Sequence, residues 1–189
     1  ESVELVVTSP PYPMIEMWDG MFIEQDSEIG ELLEAAGKAA ERAAGEDDST
    51  GTDKAAVCYR RMHEILDRVW TECARVLVPG GFACINIGDA TRKLGSDFRL
   101  FTNHSRVTAA MEKLGFQSLP PLLWRKPTNA PNKFMGSGML PAGAYVTLEH
   151  EYVLIFRKGG RRRFSASDAA RRRRSAFFWE ERNSWFSDI

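Results

Sequence analysis

The chain has 189 residues, of which 43% are hydrophobic and 27% charged, and its formal net charge is -1. This composition fits one ordinary soluble globular domain and excludes a protein that is basic overall. No apolar run approaches the roughly 20 residues needed to cross a bilayer, and the first residues resemble neither a signal nor a transit peptide. We therefore expect a cytoplasmic protein without a membrane partner. The three cysteines lack metal-ligand spacing, which predicts reduced thiols and no metal site.

The stretch VVTSPPYP, residues 6–13, predicts a strand that ends in a rigid turn. Val6 and Val7 favour a strand, whereas Pro10 and Pro11 lack the N–H donor that a strand needs. The turn therefore lies at the carboxyl edge of the strand, which is where open α/β sheets carry their sites.

An acidic, alanine-rich insert occupies residues 24–53, and its segment EDDSTGTD predicts a loop. From Asp53 onward, apolar residues recur at steps of three and four. They predict an amphipathic helix with Asp53 as its N-cap and Pro79-Gly80 as its stop. The short apolar run 82–87 predicts a buried strand, closed by Gly88-Asp89.

A second helix is predicted from near Asn103 to Leu114, with Gly115 just after its end. Two further strands follow, at 116–124 and 152–156. This order predicts the second half of a doubly wound α/β sheet, whose closing pair could be antiparallel. A full sheet of this kind would need three more strands, so the chain looks like an excised piece. A complete small domain with four strands is the alternative.

Four segments resemble, in order and spacing, those of the amino-DNA methyltransferases. They are TSPPY at 8–12, VLVPGG at 76–81, GF at 115–116 with LWRK at 123–126, and EHEYVL at 149–154. The catalytic motif comes first, which is the beta-type order of that family. The resemblance covers residues 1–158 and implies the fold of S-adenosylmethionine-dependent methyltransferases. It also implies methyl transfer to an exocyclic amino group of a base. The first motif residue is Ser9, and serine there is typical of enzymes that act on cytosine N4.

The resemblance implies a role for each residue of the turn. The Ser9 hydroxyl and the Pro10 carbonyl would accept the two N–H groups of the amino nitrogen, and Pro11 would keep the turn stiff. Tyr12 would stack on the base, which is worth about 1–3 kcal/mol against an extrusion cost of a few kcal/mol. Without the resemblance, Ser9 would be interpreted as a turn-capping hydroxyl and Tyr12 as ordinary core packing.

Candidate contacts of S-adenosylmethionine are Thr8, Ser9 and Asp89, at the carboxyl edges of predicted strands. For Asp89, simple turn chemistry is the alternative. The cofactor motif of the family, an Asp-Pro-Phe-like turn with a Gly-x-Gly loop, is not found in the sequence. We therefore expect the cofactor half of the fold to be missing from these residues, which alone would bind the cofactor poorly and be inactive.

Double-stranded DNA is the expected partner. Trp18 could border the base pocket, and the other candidate contacts are basic or polar residues of the long loop and of the arginine clusters: Lys126, Asn129, Lys133, Arg161, Arg162, Arg163, Arg171 and Arg172. A solvated surface or a disordered arm is the alternative for the arginines. Residues 1–158 would form the catalytic half, and the basic, aromatic residues 159–189 could begin a DNA-recognition region.

The resemblance also implies a prokaryotic enzyme at the nucleoid, with a cognate restriction endonuclease as a candidate partner. Methylation of adenine N6 is the closest alternative, because the first motif residue is an imperfect guide. A non-catalytic remnant that binds nucleic acid through its arginines is the alternative from another class.

Overall fold

The computed structural model describes residues 2–42, 49–94, 97–126 and 148–162, together with the single positions 170 and 173. A 3₁₀ turn at Glu16–Trp18 precedes the first helix. The helices are α1 (Asp19–Gln25), α2 (Glu28–Arg42), α3 (Ser49–Val76) and α4 (Asn103–Lys113), and the strands are β1 (Val3–Thr8), β2 (Leu77–Ile87), β3 (Ala90–Leu94), β4 (Asp97–Phe101), β5 (Phe116–Arg125) and β6 (His150–Lys158). None of the described helices combines the length and the hydropathy needed to cross a bilayer.

The main sheet has four strands in the order β1-β2-β6-β5. β1 and β2 are parallel and are joined through α3, whereas β6 is antiparallel to both β2 and β5. The predicted α/β class and the antiparallel closing pair are therefore confirmed. The predicted helix before Gly115 is confirmed as α4, and this glycine has the positive φ of 87° that ends helices.

The long helix departs from the prediction at both ends. α3 begins at Ser49, so the predicted loop is wrong from Ser49 to Asp53. A helix anchored by buried Ala55 extends toward its N-terminus at little cost once it is nucleated. At the other end α3 stops at Val76, and Pro79-Gly80 lies inside β2. There a φ of 77° at Gly80 accompanies a shift in register, a place where a strand tolerates proline.

The helices α1 and α2 and the strands β3 and β4 were not predicted. Part of the acidic insert forms α2, whose Ile29 is fully buried in the core, and α2 packs on α3. The strands β3 and β4 form a separate antiparallel hairpin between β2 and α4.

The core lies between one face of the sheet and the helices. Alternate residues of β2 and β6, including Ile85, Ile87 and Phe156, are buried with Trp70 of α3 and Met111 of α4. This alternation follows from the period of two in a strand. On β1, Leu5 is 54% exposed and Val7 is 72% exposed. The described residues therefore leave apolar strand positions open at the β1 edge.

Candidate active site

The predicted catalytic turn directly follows β1, at the carboxyl edge of the sheet. Ser9 is exposed, Pro10 is buried and Pro11 is half-buried. β1 ends at Thr8, as predicted, because the prolines cannot continue the strand. Thr8 itself is half-buried and pairs with Ile85 of β2. A cofactor contact by Thr8 stays a prediction.

The backbone conformation is strained where the chain leaves the turn. Met14 has a φ of 65°, a rare value for a residue with a side chain. Its N–H donates a hydrogen bond of 3.4 Å to the Met62 sulfur on α3, and the N–H of Ile15 donates to the Tyr12 carbonyl oxygen at 3.2 Å. These contacts fix the backbone on the far side of Tyr12.

The Tyr12 hydroxyl is the centre of a hydrogen-bond network. Its oxygen lies 3.1 Å from the Ser9 hydroxyl oxygen and 2.9 Å from Oε2 of Glu151 on β6. The amide nitrogen of Asn86 on β2 donates to the Tyr12 oxygen at 2.8 Å and to the same Glu151 oxygen at 2.7 Å. Asn86 and Glu151 share a face of the sheet because Asn86 lies opposite Val153 in the antiparallel pair.

The network carries one negative and one positive charge. Lys126, just after β5, forms an ion pair with Glu151, and its ammonium lies 4.6 Å from the centre of the Trp124 ring. Burial by itself raises the pKa of the Glu151 carboxyl, but the hydrogen bonds that it accepts outweigh burial and hold the pKa below its usual range. Burial also raises the pKa of Tyr12 to about 12. At neutral pH, Glu151 is therefore ionised and Tyr12 keeps its proton.

Tyr12 as a whole is only 8% exposed. The backbone of Gly88 lies against it, since a β-carbon at Gly88 would come within 3.1 Å of the ring. The described residues thus leave little of the ring open. Stacking of a base on Tyr12 stays a prediction.

A second, fully buried network lies behind the turn. The Asn103 amide donates to the carbonyl oxygens of Pro13, at 3.0 Å, and of Gly88, at 2.9 Å. His63 Nε2 lies 3.0 Å from Asn103 Oδ1, and because that oxygen can only accept, His63 is the donor. The Asn103 side chain therefore ties the loop after β1 to the loop after β2.

Asp89 interacts with the start of α4. Both of its carboxylate oxygens lie 2.8 Å from Nδ1 of His104, and one accepts the His104 backbone N–H at 3.1 Å. The His104 ring in turn stacks on Tyr152 of β6, with centroids 4.1 Å apart. Asp89 therefore holds a helix start, while its predicted cofactor contact stays a prediction.

A cavity of about 650 Å³ adjoins the turn. It is lined by residues 14–16, which follow the catalytic turn, by residues of α2 and β3, and by Asp89 and Leu148. Neither Ser9 nor Tyr12 lines it, so the cavity lies beside the predicted catalytic groups and not over them.

The predicted DNA contacts have different surroundings. Trp18 is half-buried and packs on the core, Arg161 is exposed, and Arg162 donates to a carboxylate oxygen of Glu4 at 2.7 Å. Lys126 belongs to the Tyr12 network. Five further predicted contacts lie outside the described residues: Asn129, Lys133, Arg163, Arg171 and Arg172.

Sequence analysis missed the partners of the turn. Asn86 and His63 gave a usable signal, because each is a polar residue within an otherwise apolar strand or helix face. Asn103 gave none, since polar residues are ordinary at the first turn of a helix. Glu151 lies in the segment EHEYVL that supports the resemblance, but no role was predicted for it.

A profile of the DNA methylase family matches residues 3–189. The chain belongs to the DNA methylase family. This membership confirms the resemblance to the amino-DNA methyltransferases that the motifs indicated.

Two type II methyltransferases are similar in sequence over the whole chain. M.MjaI of Methanocaldococcus jannaschii is 53% identical across 100% of this chain and 60% of that protein. M.MthZI of Methanothermobacter thermautotrophicus is 51% identical across 100% of this chain and 49% of that protein. The chain therefore spans only half to three-fifths of the length of these relatives.

Solved structures of a proposed DNA modification methylase share the fold. A proposed DNA modification methylase from Thermus thermophilus, solved in complex with S-adenosyl-L-methionine, matches with a TM-score of 0.56 and 29% identity, over 88% of this chain and 52% of that chain. Another structure of the same protein matches with a TM-score of 0.53. The likeness confirms the predicted methyltransferase fold, of which this chain covers a part.

Proposed function

We propose that the complete protein is a type II, site-specific DNA methyltransferase. In this proposal it transfers a methyl group from S-adenosylmethionine to the N4 amino group of a cytosine turned out of the duplex. One observation carries the proposal: the exposed Ser9 hydroxyl lies at the carboxyl edge of β1, 3.1 Å from the Tyr12 hydroxyl. Family membership and the names of both relatives support the reaction class, and Ser9 as the first motif residue supports cytosine.

The chemistry requires two hydrogen-bond acceptors. The lone pair of an exocyclic amino nitrogen is delocalised into the ring, and an acceptor on each N–H draws the nitrogen toward a tetrahedral shape that frees the pair. The Ser9 oxygen supplies one acceptor. The Pro10 carbonyl supplies the other, since none of the described residues donates a backbone hydrogen bond to it. The turn thus contributes positioning and electrostatic stabilisation.

No protein nucleophile is needed. Serine is a weak base, so the amino nitrogen loses its proton after it has gained the methyl group and a positive charge. Burial raises the pKa of Cys58 to about 12 and raises the pKa values of Cys73 and Cys84 as well. These thiols are therefore poor nucleophiles, which argues against the covalent route of carbon-5 methylation.

We propose that the described residues do not form a complete cofactor site by themselves. The Asp89 carboxylate is held by His104, and the space beside Gly88 is filled by the Tyr12 ring. Exposed Leu5 and Val7 lie on β1, and doubly wound sheets are covered on both faces. We propose that parts of the complete protein outside these 189 residues cover this region and supply most of the S-adenosylmethionine site, as the greater length of the relatives suggests.

DNA is the proposed macromolecular partner. Arg161 is exposed, and Arg162 lies beside it on the segment that leaves β6. Arginines here suit phosphate contacts, which position a duplex without reading its sequence. The type II names of the relatives also favour a cognate restriction endonuclease as a cellular partner, and the substrate favours a place at the nucleoid.

The test identifies the methylated base. The complete protein is incubated with DNA and isotopically labelled S-adenosylmethionine, and the DNA is digested to nucleosides that are weighed by mass spectrometry. We expect N4-methyldeoxycytidine. N6-methyldeoxyadenosine would keep the reaction class but contradict the choice of base, and DNA with no label would contradict the proposal as a whole.

A further inference from the structure

We propose that Glu151 is a positioning residue: acting through the Tyr12 hydroxyl, it turns the Ser9 proton inward and leaves the Ser9 oxygen free to accept from the base. This inference rests on the proposed function, in which Ser9 accepts an N–H of the amino group. Glu151 lies on β6, far from Ser9 in the sequence, and does not itself contact the reacting atoms.

The direction of each hydrogen bond follows from counting protons. An ionised Glu151 has none to donate, so the Tyr12 hydroxyl must donate its only proton across the 2.9 Å between the two oxygens. The Tyr12 oxygen can then only accept. It accepts one N–H of Asn86 at 2.8 Å and the hydroxyl proton of Ser9 at 3.1 Å. Ser9 has no second proton, so its remaining lone pairs face outward.

Glu151 also fixes the orientation of the Asn86 side-chain amide. Its nitrogen donates to both the Tyr12 oxygen and Glu151 Oε2, at 2.8 Å and 2.7 Å. The reversed amide would bring the Asn86 oxygen against the carboxylate, which is repulsive. Glu151 therefore fixes the orientation of two neighbours, and both of them meet at the Tyr12 oxygen.

The charge states of Glu151 and Tyr12 at neutral pH support this direction of the hydrogen bonds. Lys126 pairs with the other oxygen of Glu151, and the accepted hydrogen bonds hold the Glu151 pKa below its usual range despite burial. Burial raises the Tyr12 pKa to about 12. Neither group changes its proton count near pH 7, so the Ser9 proton points inward throughout the working range.

The consequence for catalysis is specific. A base amino group offers only N–H donors, so a Ser9 proton that pointed outward would face another proton. A purely accepting Ser9 avoids this clash without needing the charge of an aspartate. Glu151 thus fixes the direction of the Ser9 hydroxyl proton, which the serine by itself leaves free to rotate.

The test is a double-mutant cycle in the complete protein, with Glu151→Gln, Tyr12→Phe and the two together. Beside Lys126, the glutamine oxygen turns toward the ammonium and its NH₂ toward Tyr12, which reverses the direction of the bonds. We expect Glu151→Gln to lower kcat about 10- to 100-fold at little change in KM, the effect of losing a hydrogen bond to a charged group. Tyr12→Phe keeps the ring and removes only the bridging hydroxyl. The double variant should therefore have a kcat less than about threefold below that of Tyr12→Phe alone.

The control variant is Glu149→Gln, which removes a carboxylate of the same segment that pairs with Arg125 and not with Tyr12. We expect its kcat to equal that of the unaltered protein. An unchanged kcat in Glu151→Gln would overturn the inference. A double variant whose fold-loss in kcat equals the product of the two single fold-losses would overturn it as well. Should Glu151→Gln lose its thermal transition, Tyr12→Phe decides: a lowered kcat supports the inference and an unchanged kcat overturns it.

The outcomes separate this inference from the proposed function. An unaltered protein that labels no DNA, or a Ser9→Ala variant with full activity, would contradict the proposed function itself. A Ser9→Ala variant without activity, combined with a fully active Glu151→Gln variant, would contradict only the role of Glu151.

Discussion

His63 and Asn103 form a fully buried hydrogen-bonded pair, with 3.0 Å between Nε2 and Oδ1. The pair joins α3 to α4, and its amide reaches the carbonyl oxygens of Pro13 and Gly88. A buried polar group that loses its partner costs more free energy than the hydrogen bond adds when it is present. The pair therefore couples the stability of the fold to the position of both loops at the site.

Replacing Asn103 by leucine should destabilise the fold markedly. The change leaves His63 and two carbonyl oxygens without their partner, and we expect the free energy of unfolding to fall by about 2–4 kcal/mol. Urea denaturation followed by circular dichroism measures this. Thr71→Ala, which removes an exposed hydroxyl bonded within α3, is the control and should change the value by less than about 0.5 kcal/mol. Equal effects of the two changes would contradict the role of Asn103.

The buried His63 also predicts how stability depends on pH. Burial lowers the pKa of His63 to about 4, whereas an unfolded histidine titrates near 6.5. Between these values the unfolded chain binds a proton that the folded chain does not, so stability is present above pH 6.5 and is lost as pH falls toward 4. The loss from this group reaches about 3 kcal/mol near pH 4.

The measurement compares the protein with its His63→Gln variant. Glutamine keeps an N–H donor for Asn103 but does not titrate, so the variant should lack this part of the slope. Urea denaturation at several pH values from about 7.5 to about 4.5, which spans most of the interval between the two pKa values, gives the two curves. Parallel curves over that range would show that His63 does not carry the effect.

Much of the fold followed from local sequence signals. Strand-forming residues before the prolines predicted β1, the short apolar run 82–87 predicted part of β2, and Gly115 marked the end of α4. The start of α3 was wrong because residues 49–53 are polar, and a helix that is anchored downstream overrides weak local preferences. The β3-β4 hairpin was missed because both strands have only five residues and ATRKL of β3 lacks the alternation that marks a strand.

The site was predictable only in part. The turn at Ser9 carries a local motif, and proline chemistry places it at the end of a strand. The contacts of the turn with its partners could not be predicted. Glu151 contacts Tyr12 only because β6 lies antiparallel beside β2, and no local pattern encodes that register. Asn103 likewise looks like an ordinary helix start until the fold brings Pro13 and Gly88 to it.

The ion pair between Asp19 and Arg92 should stabilise the segment that follows the turn. The guanidinium donates two hydrogen bonds to the carboxylate, at 2.8 Å and 2.6 Å, and both side chains are mostly buried. We expect Asp19→Asn to lower the free energy of unfolding by about 1.5–3 kcal/mol. The matched control is Glu72→Gln, which breaks the exposed pair with Arg75 and should cost less than about 0.5 kcal/mol. A cost for Asp19→Asn no larger than that of the control would contradict the prediction.

Cofactor binding should require more than these residues. Isothermal titration with S-adenosylmethionine should give micromolar affinity for the complete protein and little or no heat for the 189-residue chain. A cooperative thermal transition in circular dichroism must first show that the chain is folded. Micromolar affinity of the folded chain alone would mean that the described residues hold the cofactor after all.

The most direct test of the proposed role of Ser9 is the rate of methyl transfer in the Ser9→Ala variant of the complete protein. Single-turnover transfer of labelled methyl to DNA should fall about 10²- to 10³-fold, the usual effect of losing one preorganised hydrogen-bonding group. DNA affinity at fixed salt should stay within about threefold, and Ser118→Ala, which alters an exposed serine on β5, should keep the full rate. A Ser9→Ala variant that transfers methyl at the unaltered rate would contradict the account.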